Sequence, residues 1–273
     1  MNTPPPAAAP PPAPRAHDPR AVPRAALVTG AARRLGREIA LALARAGWDV
    51  AVHYGRSADD ALATAEAIRA LGRRAVAVHA DLADEARVAA MFDEARGALG
   101  ALGCLVNNAS RFEYDAPGAF TYATLDALVR PNLAAPLALA RRLHDSLADG
   151  QCGVVVNVLD QKLENLNPDF FSYTLTKAAL LAATRMMAVA FAPALRVVGV
   201  SPGITLASGD QSPEGFARAH RMTPLGRSSA PEDVAQAVVY AAQAGAVTGV
   251  NLLVDGGQHL LPLPRDVMYL TEP

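Results

Sequence analysis

Tyr173 and Lys177 stand four residues apart at the start of a segment with helical periodicity. This spacing places both side chains on one face of a helix, one turn apart. A phenol has a pKa near 10, so it exchanges protons poorly at neutral pH, and each unit of downward shift needs about 1.4 kcal/mol. An ammonium group one turn away favours the phenolate and supplies part of this free energy. The pair therefore predicts a tyrosine that acts as a general acid or base.

Lysine is rare in this chain. Lys162 and Lys177 are the only lysines among 25 basic residues. Because the guanidinium group of arginine does not replace a compact ammonium group at every site, a lysine at position 177 strengthens the interpretation of the Tyr173–Lys177 pair. Lys162 lies two residues beyond Asp160 in a predicted loop. We expect it to be a solvated charge or a charge at the rim of a substrate site.

A glycine-containing turn precedes the first predicted helix. It reads Thr29-Gly30-Ala31-Ala32-Arg33-Arg34-Leu35-Gly36 and follows a short apolar strand. A turn of this kind opens onto the amino end of a helix, where free backbone N–H groups can hold a pyrophosphate. Gly30 is expected to allow the turn, and Gly36 the close packing of the helix. Arg34 stands where the dinucleotide-binding fingerprint often has its middle glycine, so the fingerprint is incomplete.

The segment after the second predicted strand distinguishes between the two nicotinamide dinucleotides. An NAD site usually has a carboxylate there, about 20 residues beyond the glycines, which binds the ribose hydroxyls. This chain has no acid at that point and reads His53-Tyr54-Gly55-Arg56-Ser57. Arg56 and Ser57 suit a 2′-phosphate, which takes charge-assisted hydrogen bonds, and Arg33 could reach the same phosphate. The sequence therefore predicts NADPH, with Lys177 on its nicotinamide ribose and Ser57 also a candidate N-cap of the next helix.

Short β-branched strands alternate with helical segments between residues 25 and 260. Strands are predicted at 25–29, 50–53, 75–79, 104–107, 154–158, 197–201 and 251–254, and helices near 35–46, 58–71, 84–98, 131–148, 171–192 and 231–243. These strands are apolar at nearly every position, without the alternation of apolar and polar residues that a half-exposed strand shows. Such strands, each followed by a helix, form a parallel sheet that is covered on both faces. The pattern predicts an α/β fold with one Rossmann-type, doubly wound domain of about seven parallel strands over residues 25–260. The substrate then has to bind at the carboxyl edge of the sheet.

Three segments fall outside this pattern. Residues 1–24 hold nine of the 21 prolines and have no apolar periodicity, which predicts a disordered extension. They lack the apolar core of a secretory signal, whereas Arg15, Arg20 and Arg24 leave a transit peptide open. Residues 204–213 are small and polar, which predicts a mobile substrate loop. Residues 261–273 are predicted to form a C-terminal tail.

The composition argues against several classes of protein. A formal net charge of −1 without a dominant basic run argues against nucleic-acid binding. Apolar stretches stay well under roughly 18 residues, so no membrane span is expected. Cys104 and Cys152 are too few for a disulfide scaffold or a zinc cluster, and we expect no metal. The chain is predicted to be a cytoplasmic protein that acts on a small molecule.

The motifs occur in the order typical of short-chain dehydrogenase/reductases, and the chain resembles that family over about residues 25–260. After the glycine turn come Asp81-Leu82, Asn107-Asn108-Ala109-Ser110, Asn132, Tyr173 with Lys177, Ser201-Pro202-Gly203 and Asp255-Gly256-Gly257. The resemblance implies that Asn132 supports the catalytic Tyr173–Lys177 pair by holding a proton-relay water. It implies a cofactor site bordered by Asp81, Leu82, Asn108, Ala109, Ser110, Pro202, Gly203 and Ile204. Because the family mostly forms tetramers, we expect a homotetramer in which the tail either borders a neighbouring pocket or is a loose end.

Departures from the family pattern point to one branch, the pteridine and dihydromonapterin reductases. The fifth strand ends in Leu159-Asp160, without the serine that most members use to bind a substrate carbonyl. The resemblance to this branch implies that Arg34 faces both pyrophosphate and pterin, that Phe112 stacks on the pterin, and that Asp160 delivers a proton together with Tyr173. Ser110 and Leu206 complete the expected substrate site. Reduction of a C=N bond fits this set, because a buried carboxyl group can supply the proton that the ring nitrogen needs.

Simpler interpretations of three residues stay open. Asp160 could cap the next turn, Phe112 could be loop packing, and Arg34 could only neutralise phosphate. The leading prediction is an NADPH-dependent reductase of a pterin or folate-type C=N bond. One alternative is a 3-oxoacyl thioester or ketone reductase of the same family. Another is a non-enzymatic NADP-sensing protein, against which the intact Tyr173–Lys177 pair argues.

Overall fold

One parallel seven-stranded sheet organises this computed structural model, which describes residues 22–207 and 211–271. The strands are β1 (Ala25–Val28), β2 (Asp49–Tyr54), β3 (Ala75–His79), β4 (Cys104–Asn107), β5 (Gly153–Val158), β6 (Leu195–Pro202) and β7 (Asn251–Val254). Their order in the sheet is β3-β2-β1-β4-β5-β6-β7. This is a Rossmann-type, doubly wound sheet, and the predicted fold class is confirmed.

Nine α-helices accompany the sheet in the described part of the chain. They are α1 (Arg34–Arg45), α2 (Ala58–Ala70), α3 (Glu85–Leu99), α4 (Tyr122–Val129), α5 (Ala135–Ser146), α6 (Phe171–Ala190), α7 (Pro213–Arg221), α8 (Pro231–Gln243) and α9 (Met268–Thr271). A π-helical turn (Arg130–Ala134) joins α4 to α5, and 3-10 turns lie at Gln161–Leu163 and Gln258–Leu260. In the described residues, no helix has the length and apolarity that crossing a bilayer requires.

The core consists of two buried apolar clusters, one on each face of the sheet. Ala26 and Val28 of β1 belong to the cluster that contains Trp48, whereas Ala25 and Leu27 belong to the other. Successive side chains of a strand point to opposite faces. A strand covered on both faces therefore has to be apolar at every position, as the sequence pattern indicated.

The predicted helix at 131–148 is wrong at its start. The helical segment begins at α4, where the Thr121 hydroxyl accepts a hydrogen bond from the Thr124 N–H at 3.1 Å as an N-cap. Pro131 and Pro136 both lie within this continuous segment, as the second residues of the π-helical turn and of α5. Proline has no backbone N–H, so each of these residues removes one donor from the helical hydrogen bonds.

Residues 1–21, 208–210 and 272–273 lie outside the described residues. The predicted disordered extension therefore falls almost entirely outside them, and the predicted mobile loop at 204–213 does so in part. Up to Thr271 the C-terminal tail is packed. The Arg218 guanidinium donates a 2.8 Å hydrogen bond from Nε to the carbonyl oxygen of Thr271, which is itself buried. The interpretation of this segment as a loose end is wrong.

Candidate active site

The turn between β1 and α1 folds tightly against itself. Gly30 has a φ of +64°, and a Cβ on Gly36 would lie 2.1 Å from the carbonyl oxygen of Gly30, so only glycine fits at position 36. No side chain caps the amino end of α1, and its first turn has no acidic residue. The exposed N–H donors there can receive an anion. The turn therefore fits the phosphates of a dinucleotide.

His53, near the carboxyl end of β2, holds the backbone of this turn by a hydrogen bond. Its Nδ1 accepts a hydrogen bond from the Gly30 N–H at 3.0 Å, and its Nε2 lies 3.1 Å from the carbonyl oxygen of Ala80. The first contact requires a bare acceptor and the second a proton, so the ring is neutral with its proton on Nε2. Burial lowers the His53 pKa to about 4. A neutral histidine thus fixes the backbone of the phosphate turn.

Thr29 joins the phosphate turn to the loop after β4. Its hydroxyl accepts hydrogen bonds from the N–H groups of Asn108 and Ala109, both at 3.0 Å. The Asn108 amide donates to the carbonyl oxygen of Thr29 at 2.9 Å. The two loops border the crevice where the strand order reverses, which is the usual ligand site of such sheets.

Three arginines surround the two helix starts that border this crevice. Arg33 and Arg56 are exposed, and neither guanidinium has a partner among the described residues. Arg34 donates to the carbonyl oxygen of Ala207 at 2.8 Å and has a φ of +54°, a left-handed conformation that favours glycine. This conformation explains why glycine often occupies position 34. Ser57 is the N-cap residue of α2, but its hydroxyl makes no capping hydrogen bond, so it can donate to a phosphate.

The remaining residues predicted to border a cofactor also follow carboxyl ends of strands. Asp81 and Leu82 follow β3, Ser110 follows β4, and Gly203 and Ile204 follow Pro202 at the end of β6. The Ile204 N–H donates to the Gln258 side chain at 3.3 Å. The fold therefore brings these residues to one edge of the sheet, and their individual contacts with a cofactor stay predictions.

Tyr173 and Asp160 form the centre of the site. The Tyr173 hydroxyl donates to Oδ2 of Asp160 at 2.8 Å, and the Lys162 N–H donates to Oδ1 at 2.9 Å. Asp160 therefore caps the 3-10 turn and also binds the tyrosine, so the capping interpretation and the catalytic one are compatible. The Lys177 ammonium donates to the carbonyl oxygen of Val158 at 2.8 Å and lies 5.8 Å from the Tyr173 ring centroid.

Burial shifts the pKa of each ionisable group in this cluster. Burial and the neighbouring Asp160 carboxylate raise the Tyr173 pKa well above its usual value. Burial also raises the Asp160 pKa, and it lowers the Lys177 pKa to about 8. The neighbours that raise the Tyr173 pKa are acidic, and the expectation that Lys177 favours the phenolate stays a prediction. Tyr173 is a neutral phenol whose proton points at a carboxylate.

Asn132 lies in the π-helical turn and connects the loop after β4 to α6. Its amide exchanges two hydrogen bonds with the backbone of Arg111, at 2.8 and 2.9 Å, and donates to the Thr176 hydroxyl at 3.2 Å. The Ser110 hydroxyl is also within 3.4 Å of Asn132 Oδ1. A π-helical turn inside an α-helix often marks a functional position. The observed contacts position the loop after β4, and the predicted proton-relay role of Asn132 stays a prediction.

Phe112 borders the same space as Tyr173. Its ring stacks on Phe170 with centroids 4.2 Å apart and meets the Tyr173 ring edge-on at 4.7 Å. The side chain is 43% exposed, so it is packed on one side and open on the other. It thus offers an aromatic surface beside the proton donor. Phe170 has a φ of +53°, which is unusual for an aromatic residue and places it directly before α6.

Asp115 fixes the amino end of the catalytic helix. Its buried carboxylate accepts hydrogen bonds from the N–H and the hydroxyl of Ser172, the former at 2.8 Å. Tyr173 is the next residue, so this contact determines where the phenol stands. The predicted set of site residues did not include Asp115, because a single aspartate in a loop gives no periodic or motif signal.

Lys162 is buried, and the expectation of a solvated charge is wrong. Its ammonium donates to the carbonyl oxygen of Asp169 at 2.6 Å and pairs with Asp266 at 3.4 Å. It also lies 5.4 Å from the Phe170 ring centroid. The lysine borders the cavity beside Tyr173 and Asp160, and its position at the rim of a substrate site stays a prediction.

A cavity of about 440 Å³ extends outward from Tyr173 and Asp160. This volume is typical of small-molecule sites, which span about 300–1,000 Å³. The predicted substrate residues Arg34, Ser110, Phe112 and Leu206 line it, together with residues of the C-terminal tail such as Asp266. Among the described residues, no group of histidine, cysteine, aspartate or glutamate side chains is arranged to hold a metal ion.

Comparison with known proteins is consistent with this geometry. The sequence model of the family described as enoyl-(acyl carrier protein) reductase matches residues 30–259. The chain belongs to the short-chain dehydrogenase/reductase family. The predicted family is thereby confirmed, and so is the prediction of an oxidoreductase.

Two curated relatives span nearly the whole domain. An oxidoreductase of Mycobacterium tuberculosis is 36% identical over 260 residues, which cover 88% of this chain and 95% of the relative. The 3-oxoacyl-[acyl-carrier-protein] reductase of Staphylococcus aureus is 30% identical over 242 residues, which cover 87% of this chain and 98% of the relative.

A solved structure is more similar still. The crystal structure of FolM alternative dihydrofolate reductase 1 from Brucella canis, complexed with NADP, has 40% sequence identity and a TM-score of 0.86. The match covers 91% of this chain and 99% of that one.

Proposed function

We propose that this reductase uses NADPH to reduce a C=N bond in a pterin or folate-type ring. The observation that carries the proposal is the 2.8 Å hydrogen bond between Tyr173 and Asp160 at the end of β5. A ketone reductase of this family needs a hydroxyl at that strand end to hold a carbonyl oxygen. Here a buried carboxyl group stands in its place.

A C=N bond requires a proton on nitrogen as well as a hydride on carbon. NADPH, when bound, supplies the hydride and becomes NADP⁺. Tyr173 and Asp160 supply the proton to the ring nitrogen, so that the C=N bond becomes CH–NH. Burial raises the pKa of both groups, which keeps a proton on the pair at neutral pH. Lys177 carries the positive charge closest to this pair along α6 and would also hold the nicotinamide ribose.

The residues that would hold the cofactor are suited to its 2′-phosphate form. The uncapped amino end of α1 would receive the pyrophosphate, and Arg33, Arg56 and Ser57 would bind the 2′-phosphate. Within residues 22–207 and 211–271, the guanidinium groups of Arg33 and Arg56 have no partner and the Ser57 hydroxyl makes no capping bond, which supports this assignment. The FolM structure from Brucella canis contains NADP, which agrees with it.

The exposed face of Phe112 would stack against the planar substrate ring. Stacking of aromatic rings contributes about 0.5–1.5 kcal/mol beyond the buried area. Arg34 would lie between the phosphates and the substrate, since its guanidinium group borders the cavity. The identity between this chain and a dihydrofolate reductase supports a substrate of this class. Because the relative from Staphylococcus aureus is a 3-oxoacyl-[acyl-carrier-protein] reductase, reduction of a 3-oxoacyl thioester is the alternative function.

Consumption of NADPH tests the proposal directly. The purified protein is supplied with 7,8-dihydropterins, dihydrofolate, acetoacetyl thioesters and simple ketones, and absorbance of NADPH is followed. We expect oxidation of NADPH with at least one dihydropterin or dihydrofolate, and little with acetoacetyl thioesters. Turnover of the thioester alone would replace the proposal with the alternative.

A Tyr173→Phe variant separates catalysis from binding. It removes only the hydroxyl, so NADPH affinity should stay within a few-fold while turnover of the preferred substrate is lost. If turnover with every substrate is unaffected, Tyr173 does not donate the proton.

We also propose that the protein is a cytoplasmic homotetramer. Several large apolar side chains of α6 are exposed in the single chain, among them Leu175, Met186 and Val189. A neighbouring subunit would cover them, because contiguous exposed apolar patches usually mark interfaces. Light scattering after gel filtration should give a mass of four chains. A double variant that carries Met186→Glu and Val189→Glu should give a smaller assembly.

A further inference from the structure

Lys162 holds three parts of the substrate cavity together. Its side chain is only 5% exposed, although an ammonium group is costly to bury without partners. Those partners are the carbonyl oxygen of Asp169 before α6 and the carboxylate of Asp266 on the C-terminal tail. Its backbone N–H holds Asp160. The tail is therefore linked through one residue to the catalytic carboxyl group.

A second ion pair fixes the same part of the tail. The Arg265 guanidinium donates to both carboxylate oxygens of Asp169, at 2.8–3.0 Å, and the Asp266 N–H donates to Asp169 at 2.7 Å. The hydrogen bonds from Arg265 lower the Asp169 pKa, so the carboxylate stays charged at neutral pH. The backbone at Arg265 and Asp266 is held on two sides. This part of the tail is a fixed wall of its own subunit's cavity.

Asp266 exposes part of its carboxylate within this wall. Its side chain is 23% exposed and lines the cavity that contains Tyr173 and Asp160. Oδ1 accepts the Met268 N–H at 3.2 Å, and Oδ2 faces Lys162. A carboxylate offers about four acceptor positions, so the group can accept further hydrogen bonds from a ligand.

We propose that Asp266 is a specificity-determining residue that binds neighbouring N–H donors of a heterocyclic substrate, such as the amino-amide edge of a 2-amino-4-oxopteridine. The inference rests on the proposed function for the substrate class. The edge of such a ring presents an amino group beside a ring N–H, which matches the two oxygens of one carboxylate. A ketone or thioester has no N–H donor for the remaining acceptor positions of Asp266 and would displace water from them, so Asp266 also disfavours those substrates.

A matched pair of ligands tests this role. Binding of 2-amino-4-oxopteridine and of 4-oxopteridine, which lacks the amino group, is measured by fluorescence titration of the NADP⁺-saturated protein. We expect the wild type to bind the amino compound at least tenfold more tightly, and Asp266→Asn to lose this preference, as the loss of a charge-assisted hydrogen bond would give. A wild type without the preference, or an Asp266→Asn variant that keeps it, overturns the proposal.

Two further variants control for charge and for folding. Glu164→Gln removes an exposed carboxylate from the same loop as Lys162 and should keep the preference. The double variant Lys162→Met, Asp266→Leu removes both charges, so no ammonium group is left buried without its carboxylate, and it should lose the preference as Asp266→Asn does. A double variant that keeps the preference contradicts the proposal even if Asp266→Asn does not fold.

Kinetic constants distinguish this inference from the proposed function. With a dihydropterin that is turned over, Asp266→Asn should raise KM by about tenfold or more while kcat and the KM for NADPH change much less. If no dihydropterin is reduced but the binding preference for the amino compound is lost in Asp266→Asn, the proposed function is wrong and the specificity role of Asp266 stands.

Discussion

The Tyr173 hydroxyl donates a hydrogen bond to Asp160, whereas Lys177, one helical turn away, has a different acceptor. The oxygen–oxygen distance is 2.8 Å, whereas Lys177 donates to the carbonyl oxygen of Val158. Tyr173 and Asp160 therefore form a buried pair of acids whose titration is coupled. A pair of this kind suits transfer of a proton to nitrogen, because burial raises the pKa of both groups and the one proton that they share lies beside the cavity.

Asp160 should be essential for reduction of a pterin and dispensable for binding of the cofactor. In an Asp160→Ser variant, kcat/KM for the preferred dihydropterin should fall by about 10²–10⁴-fold, the usual contribution of a general acid. Serine introduces the hydroxyl that carbonyl reduction needs, so kcat/KM for a ketone should not fall as kcat/KM for the dihydropterin does. Steady-state kinetics with both substrate classes, together with NADPH titration, measure these effects.

Glu164→Gln is the matched control for Asp160→Ser, since it also removes a negative charge four residues along the same loop. Its kinetic constants should equal those of the wild type. Better ketone reduction by Asp160→Ser without any pterin defect would mean that Asp160 has no part in the reaction and that the ketone reductase alternative is correct.

Arg56 should determine the preference for NADPH over NADH. An Arg56→Ala variant loses a charge-assisted contact with the 2′-phosphate, which is worth about 1.5–3 kcal/mol, so KM for NADPH should rise by about 10–100-fold. KM for NADH, which lacks this phosphate, should change little. Arg37→Ala removes an equal charge from an exposed position of α1 and should leave both constants unchanged. Equal losses for both cofactors in Arg56→Ala would show a general effect on the loop.

The sheet was predictable from sequence because each strand carries its own signal. Parallel strands buried on both faces are short apolar runs, and those of β3, β4 and β7 were predicted with the limits that the structure has. The segment from α4 to α5 was predicted less well. Its start was predicted near residue 131, whereas the helical segment begins at Tyr122 and continues through a π-helical turn that contains Pro131.

The candidate site was predictable where a residue belongs to a motif. Tyr173, Lys177 and the glycine turn have fixed spacings that identify them. His53, Asp115 and Lys162 act through contacts with residues that are distant in sequence, such as the 104-residue separation between Lys162 and Asp266. Spacing along the chain contains no information about such contacts, so only the folded chain reveals them.

Replacement of Gly36 by alanine should impair NADPH binding, whereas replacement of Gly97 by alanine should stabilise the fold. Gly36→Ala places a Cβ 2.1 Å from the carbonyl oxygen of Gly30, so the phosphate turn has to move and NADPH binding should be lost or greatly weakened. Gly97 lies within α3 with no other atom within 4 Å of an added Cβ. Gly97→Ala should therefore raise the free energy of unfolding by about 0.5–1 kcal/mol and leave NADPH binding intact.

Urea unfolding and NADPH titration of the two variants measure these effects side by side. A Gly36→Ala protein with wild-type affinity for NADPH would mean that α1 does not need to pack this closely for the phosphate turn to work.

His53 should make the fold less stable in mild acid. Its pKa in the folded protein is about 4, whereas the usual value is 6.5, because burial disfavours the charged ring. Above pH 6.5 the His53 ring is neutral in the folded and in the unfolded protein, so the free energy of unfolding keeps its full value there. Between pH 6.5 and 4 only the unfolded chain takes up the proton, and the free energy of unfolding should fall by up to about 3 kcal/mol. Urea unfolding at intervals across this range measures the slope.

A His53→Gln variant isolates this histidine from the carboxylates that titrate in the same range. Glutamine keeps an acceptor near the Gly30 N–H but cannot titrate, so the variant should be less dependent on pH than the wild type between pH 6.5 and 4. The difference between the two curves should grow as the pH falls, since it contains only the proton that the wild-type ring takes up on unfolding. Curves that stay parallel would mean that folding does not lower the His53 pKa, so that below pH 6.5 the folded protein would hold a charged ring that cannot accept the Gly30 hydrogen bond.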